Sequence, residues 1–211
     1  KKTGVMPNGT LGHEKSSIPR PAIGQPEPKY PERQRIFFCS RTHSQLKQVV
    51  DELRDVHPKL LEDLQMCILG SRNQMCINED VRERATEGSG TLDELCRDLS
   101  KTRVSGCSFN NSSNNASKGL AKATGKHAVW DIEDAVVLGR KHKGCPYYHS
   151  RQVAPGADIT FMPYNYILEP SIRASLQLEL QDAIIIFDEA HNLEDFCRSA
   201  GSLSIGTELL R

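Results

Sequence analysis

The feature that most restricts this chain is the apolar run Ala183-Ile184-Ile185-Ile186-Phe187, which ends directly on Asp188-Glu189-Ala190-His191. β-Branched and aromatic residues without polar interruption read as a buried strand of a parallel sheet. Two adjacent carboxylates at the carboxyl end of such a strand sit where open α/β sheets bind ligands. In a nucleotide hydrolase the first, Asp188, would hold Mg2+, usually through water, and the second, Glu189, would polarise the attacking water. An acidic surface turn is the bland alternative. The apolar run ahead of the tetrad, and His191-Asn192 after it, favour the nucleotide (Walker B) reading.

The rest of the chain supplies a sheet for that strand. Ile36-Phe37-Phe38-Cys39, Met66-Cys67-Ile68-Leu69 and Ile159-Thr160-Phe161-Met162 are short apolar runs of strand type. Leu46, Val49, Val50 and Leu53 recur at helical spacing, predicting a helix to about Val56, and a further helix is expected near Asn165–Ser175. The pattern predicts a parallel α/β sheet interrupted by an insertion. Within residues 72–151, helical pieces at Thr91–Leu99 and Asp131–Gly139 alternate with polar loops, and the Asn/Ser-rich stretch Ser108–Lys126 reads as a mobile loop. So few apolar residues leave a thin core, for which an external staple is expected. Residues 1–34 carry six of the eleven prolines and read as a disordered arm.

Lysine plus arginine and aspartate plus glutamate number 27 each, so global charge excludes nothing, and local charge has to be read instead. Between Val137 and Arg151 stand Arg140, Lys141, Lys143 and Arg151 with no acid, beside the rings of Tyr147 and Tyr148. Charge combined with stacking surfaces suits a single nucleic-acid strand, although charge runs are often solvated faces and tyrosines often core. Ser40-Arg41-Thr42-His43-Ser44-Gln45 follows a strand and opens a helix, where hydroxyls, an arginine and free backbone N–H groups suit phosphate oxygens. No apolar run approaches the roughly 20 residues of a membrane span, so no membrane partner is expected. Seven scattered cysteines argue against a secreted disulfide framework and for a reducing compartment. Cys39, Cys67 and Cys197 lie in or beside predicted core elements and read as buried free thiols. Cys76, Cys96, Cys107 and Cys145 fall in the insertion without a Cys-x-x-Cys knuckle, and their spacing fits zinc or an iron–sulfur cluster equally.

Ile185-Ile186-Phe187-Asp188-Glu189-Ala190-His191-Asn192 resembles motif II of the DEAH-type superfamily 2 helicases, and Ser40–Gln45 resembles their motif Ia. The contexts Ser71–Cys76, Glu94-Leu95-Cys96, Gly106–Phe109 and Gly144-Cys145-Pro146-Tyr147-Tyr148 resemble, in order, the four cluster-ligand words of the XPD-like iron–sulfur helicases. The resemblance implies a partial RecA-like first motor domain (35–71 and 152–195), interrupted by a 4Fe-4S cluster domain (72–151), with an arch domain starting at 196–211. It implies Cys76, Cys96, Cys107 and Cys145 as cluster ligands, Asp188 as the Mg2+ ligand, and Asp188, Glu189 and His191 as the catalytic set. It further implies contact of Ser40, Arg41, Thr42, His43, Arg140, Lys141, Lys143, Tyr147 and Tyr148 with single-stranded DNA, and a structural arginine at Arg72. The activity implied is ATP-driven 5′-to-3′ unwinding at DNA junctions or forks, in the nucleus, with repair proteins as partners. Within the group, Val129–Asp134 and Ser171–Leu176 look most like the Fanconi anaemia group J branch, with the telomere-elongation-regulator branch next. The family's phosphate-cradling Gly-x-x-x-x-Gly-Lys-Ser/Thr is absent; Gly119–Lys126 has five residues between its glycines and His127 in the hydroxyl position. A fragment that begins after that loop is therefore expected, without ATPase activity by itself. A non-catalytic, metal-bound nucleic-acid or partner-binding module and a zinc-binding structural domain are the alternatives.

Overall fold

Four apolar runs become the four strands of a parallel sheet in the computed structural model, which describes residues 34–56, 59, 61–101, 106–110, 114–176 and 178–202. The proline-rich arm and most of the 196–211 segment lie outside the described residues. The strands are β1 (Ile36–Ser40), β2 (Met66–Ile68), β3 (Ile159–Pro163) and β4 (Ile184–Phe187), in the order β2-β3-β1-β4. Register is tight: Ile36 pairs with both Ile159 and Ile184, and Cys39 with both Met162 and Phe187. The ladder runs past the strand ends, with Tyr164 N–H donating to Ser40 O at 3.1 Å and Asp188 N–H to Cys39 O at 2.8 Å. Three strands therefore finish at one level.

Helix α1 (His43–Arg54) begins where Thr42 caps it: Thr42 Oγ1 accepts from Gln45 N–H, and Gln45 Oε1 accepts from Thr42 N–H. Leu46 and Val50 on its inner face are fully buried. Between β2 and β3 runs the insertion: α2 (Arg72–Met75), α3 (Glu79–Thr86), α4 (Leu92–Lys101), α5 (Asn114–Ala123), α6 (Ile132–His142) and α7 (Pro146–Val153). After β3 come α8 (Asn165–Leu168) and α9 (Pro170–Leu176), and β4 leads through a 3-10 turn (Ala190–Asn192) into α10 (Leu193–Ala200). The single helix expected near 165–175 is thus two, parted at Glu169 ahead of Pro170, as a residue preceding proline requires.

The insertion is not uniformly thin. Met75, Trp130, Ile132, Ala135 and Tyr147 join the core beneath the sheet, whereas α3 and α4 share a separate small cluster of Val81, Leu92 and Leu95. Residues 114–123 form a helix where the composition read as a mobile loop. Lys118, Leu120, Ala121, Lys122 and Ala123 are good helix formers, Leu120 is buried, and Thr124 Oγ1 lies 2.6 Å from His149 Nε2. Gly119 sits inside this helix, which agrees with rejecting it as a phosphate loop. Strand β4 also departs from expectation. It is one of the two sheet edges among the described residues, with Ile184 43% and Ile186 39% exposed. Cys39 and Cys67 are buried as predicted, and burial pushes the Cys39 thiol up to about 12; Cys197, by contrast, is exposed on α10, where the amphipathic turn carries Phe196 inward instead.

An ion network ties α1 to the insertion. Asp131, buried at the start of α6, accepts from Lys47 Nζ at 2.6 Å and Arg54 at 3.2 Å, and caps the helix through Asp134 N–H at 2.8 Å. Burial pushes this carboxyl up, but the hydrogen bonds from Lys47, Asp134 N–H and Arg54 together outweigh it and hold it at about 2. A carboxyl lowered from its unfolded value near 4 stabilises the fold above that value, and the contribution fades as pH falls toward 2. Asp131→Asn should therefore cost about 2 kcal/mol at neutral pH and little at pH 2. Urea midpoints of both proteins at the two pH values test this, and equal midpoints at pH 7 would refute it.

Candidate functional site

The common level of β1, β3 and β4 gathers three side chains at the carboxyl edge of the sheet. Asp188 leaves β4 beside Ser40, whose hydroxyl reaches Asp188 Oδ2 at 3.3 Å and Gln45 Oε1 at 3.0 Å. Ser40 is fully buried, so its expected contact with a nucleic-acid phosphate is corrected: it serves the acidic site. Glu189 adopts a left-handed backbone, φ 52° and ψ 45°, which is uncommon outside glycine and asparagine. Its carbonyl accepts from Tyr164 OH at 3.1 Å and Asn192 Nδ2 at 3.2 Å; Tyr164 OH also bonds Asp188 O. Burial first, then Asp188 and Glu189, push the Tyr164 phenol above its usual range, so it remains a donor. His191 Nδ1 lies 3.2 Å from Glu189 Oε2, which places the third member of the predicted catalytic set beside the second. The edge presents two carboxylates, an imidazole and open solvent, a set suited to a hydrated divalent cation and a water nucleophile.

Cys76, Cys96, Cys107 and Cys145 come from four different places: the end of α2, the middle of α4, the loop after it and the N-cap of α7. All four line one small hollow, walled by Ile77, Val81, Leu99, Phe109 and the two tyrosines. Asn78 Nδ2 donates to Cys107 Sγ at 3.4 Å. Burial pushes the Cys145 thiol up to about 11, partly offset by the backbone N–H groups of Tyr148 and Tyr147. Among the described residues no three His, Cys, Asp or Glu side chains gather closely enough for a single metal ion, so the sulfurs stand around the cavity rather than about one point. Four thiols, an apolar wall and N–H donors aimed at sulfur fit the demands of an iron–sulfur cluster.

The expected strand-binding groups do not share one surface. Arg41 and His43 line an open cleft with Arg72, Arg97, Arg151, Asn165 and Tyr166. Arg140 and Lys143 line a different hollow beside Glu79 and Asp80, and Lys141 is exposed. Tyr147 is corrected as a base-stacking platform, whereas Tyr148 is half-buried. The Tyr147 ring is buried, with Arg72 at 4.3 Å and Arg151 at 4.9 Å from its centroid, and Tyr148 packs edge-on against it and hydrogen-bonds Ser100 Oγ at 2.8 Å. Thr42 spends its hydroxyl on capping α1. Arg72, paired with Asp93, borders both the cysteine cavity and the cleft, the structural place the sequence suggested. Two buried nitrogens on the cleft, His43 Nδ1 and Arg72 Nε, have no hydrogen-bond partner among the described residues.

Three functional positions escaped the sequence reading. Tyr164 and Asn192 brace the acidic turn through the Glu189 carbonyl. Gly139 lets α6 approach the Cys145 loop: a Cβ there would meet Pro146 Cγ at 2.5 Å and Gly144 O at 2.9 Å. Gly139→Ala should displace the Cys145 loop, cost about 1–3 kcal/mol and speed alkylation of the Cys145 thiol in apoprotein. Mass-spectrometric thiol footprinting checks this, and a wild-type alkylation rate would refute it.

The DEAD_2 family profile matches residues 38–210. The regulator of telomere elongation helicase 1 homolog of Anopheles gambiae is 42% identical over 184 residues, 87% of this chain and 18% of that protein. Human regulator of telomere elongation helicase 1 is 40% identical over 186 residues, 87% of this chain and 14% of that protein. The Bos taurus protein of the same name is 39% identical over 95% of this chain and 15% of its own length. The chain thus spans less than a fifth of these curated relatives. Similarity of that extent outweighs the two short words that placed the Fanconi anaemia group J branch first. Among solved structures, a truncated XPD aligns at TM-score 0.46 and 18% identity, over 78% of this chain and 42% of that one.

Proposed function

Because the chain belongs to the DEAD_2 family, the XPD-like helicases, we propose that it is the acidic-motif and cluster-binding part of an ATP-dependent DNA helicase acting in genome maintenance in the nucleus. The observation that carries this reading is the shared edge of β1, β3 and β4, which sets Asp188 and Glu189 beside the motif that opens α1. Asp188 is assigned to Mg2+ and Glu189 to the attacking water, with His191 holding Glu189. ATP turnover requires, with this acid pair, a phosphate-cradling loop and a second motor domain, and residues 1–211 alone are inactive. When bound, Mg2+ and ATP supply the charge and the transferable phosphoryl group. Single-stranded DNA runs in the cleft of Arg41, His43, Arg72, Arg97 and Arg151, whose guanidinium groups suit phosphate oxygens. Translocation is 5′ to 3′, with junctions or forks as substrates and repair proteins as partners.

In the full-length protein Glu189→Gln should lower ATP turnover at least about a hundredfold while leaving the affinity for an oligothymidylate within about twofold. Turnover near wild type would remove Glu189 from its role.

Cys76, Cys96, Cys107 and Cys145 are assigned to a 4Fe-4S cluster, whose place among α2, α4 and α7 would tie the thin α3–α4 region to the main core. Anaerobically purified protein should contain about four irons and four sulfides per chain and absorb near 400 nm. Cys145→Ser should lose that signal and make residues 72–151 sensitive to protease. Zinc without sulfide would mean that the cavity holds a different metal.

A further inference from the structure

The left-handed backbone at Glu189 is a conformation its own side chain disfavours, so the surroundings must hold it. What holds it comes from the cleft side of the molecule. Tyr164 follows β3 directly and precedes Asn165 and Tyr166, which line the cleft. Its ring is fixed by Phe187 at 5.8 Å and Phe196 at 6.1 Å, so its hydroxyl has little freedom to leave the carbonyls of Asp188 and Glu189. Arg41, also on the cleft, donates to Asn192 Oδ1 at 3.0 Å, and Asn192 donates through Nδ2 to the same Glu189 carbonyl. Two separate cleft-lining segments thus end on one peptide group.

We propose that Tyr164 is a positioning residue: its hydroxyl, seconded by the Arg41–Asn192 link, holds the turn that aims Glu189 and reports occupancy of the basic cleft to the acid pair. This rests on the nucleotide-hydrolysis reading above. A strand that draws Arg41 or moves the Pro163–Tyr166 segment changes the support of the Glu189 carbonyl without touching either carboxylate. Loss of the hydroxyl leaves the ring packing intact and frees the strained peptide to relax. The carboxylate then samples directions away from the site, which lowers turnover without weakening either ligand.

The test uses the full-length protein with its complete nucleotide site and an oligothymidylate. Tyr164→Phe should lower kcat for ATP about tenfold, as one lost hydrogen bond implies, with KM for ATP and Kd for the oligonucleotide within about twofold. Hydrogen exchange at Ala190–Asn192 should be about fivefold faster, and its response to the oligonucleotide should disappear. Asn192→Ala should shift both readouts in the same direction. Wild-type turnover and exchange in both variants, with Glu189→Gln inactive, would overturn this proposal and leave the hydrolysis reading standing. A loss of oligonucleotide affinity matching the loss of turnover would also overturn it, by showing a binding role. Turnover retained in Glu189→Gln would instead bring down the reading beneath it.

Discussion

Everything of chemical interest in this chain depends on the register of β1 between two parallel neighbours. Cys39 faces Met162 on one side and Phe187 on the other, and main-chain bonds from Tyr164 and Asp188 continue the ladder one residue further. A slip of one residue would reverse every side chain's face, placing Ser40 away from Asp188 and separating Tyr164 from the acidic turn. Apolar burial secures the register: Phe37, Cys39, Phe161 and Met162 are all within 1% of full burial. The polar groups at the strand ends inherit their positions from that core.

The insertion follows a different logic. Its α6 and α7, with Trp130 just ahead of α6, contribute Ile132, Ala135 and Tyr147 to the main core and are anchored by the Asp131 network to α1. Helices α3 and α4 have little apolar packing of their own, and three buried residues are a small core for two helices. Contacts around the cysteine cavity join α2, α4 and α7, so a group bound there would connect the weak part to the strong one. Close approach is equally necessary, and Gly139 provides it by leaving room for Pro146.

Strand positions were legible to within about one residue because uninterrupted apolar runs have few alternatives in a parallel sheet. The acidic tetrad and the four cysteine words were equally plain, since their residue types are chemically uncommon in such arrangements. What the sequence concealed are relations across space. Residue type offers the Tyr147 ring for stacking, but two arginines cover it; it offers Ser40 to phosphate, but Asp188, 148 residues along the chain, is its partner. Asparagine and serine content hid α5, whose helix rests on the alanine, lysine and leucine at its centre. The support of Glu189 by Tyr164 could not be read from either local word, since neither residue type specifies the other.

Strand β4 brings a consequence of its own. It leaves one edge of the sheet without a neighbouring strand among the described residues, and its outward isoleucines, Ile184 and Ile186, are more than a third exposed. A row of open N–H and C=O groups flanked by β-branched apolar side chains is a template for another extended chain. No lysine, proline or bulge blunts it between Ile184 and Phe187. Handled as a solitary polypeptide, the molecule therefore carries a colloidal liability on the same strand that carries its acid pair, and self-association along that edge would bury the chemistry together with the isoleucines.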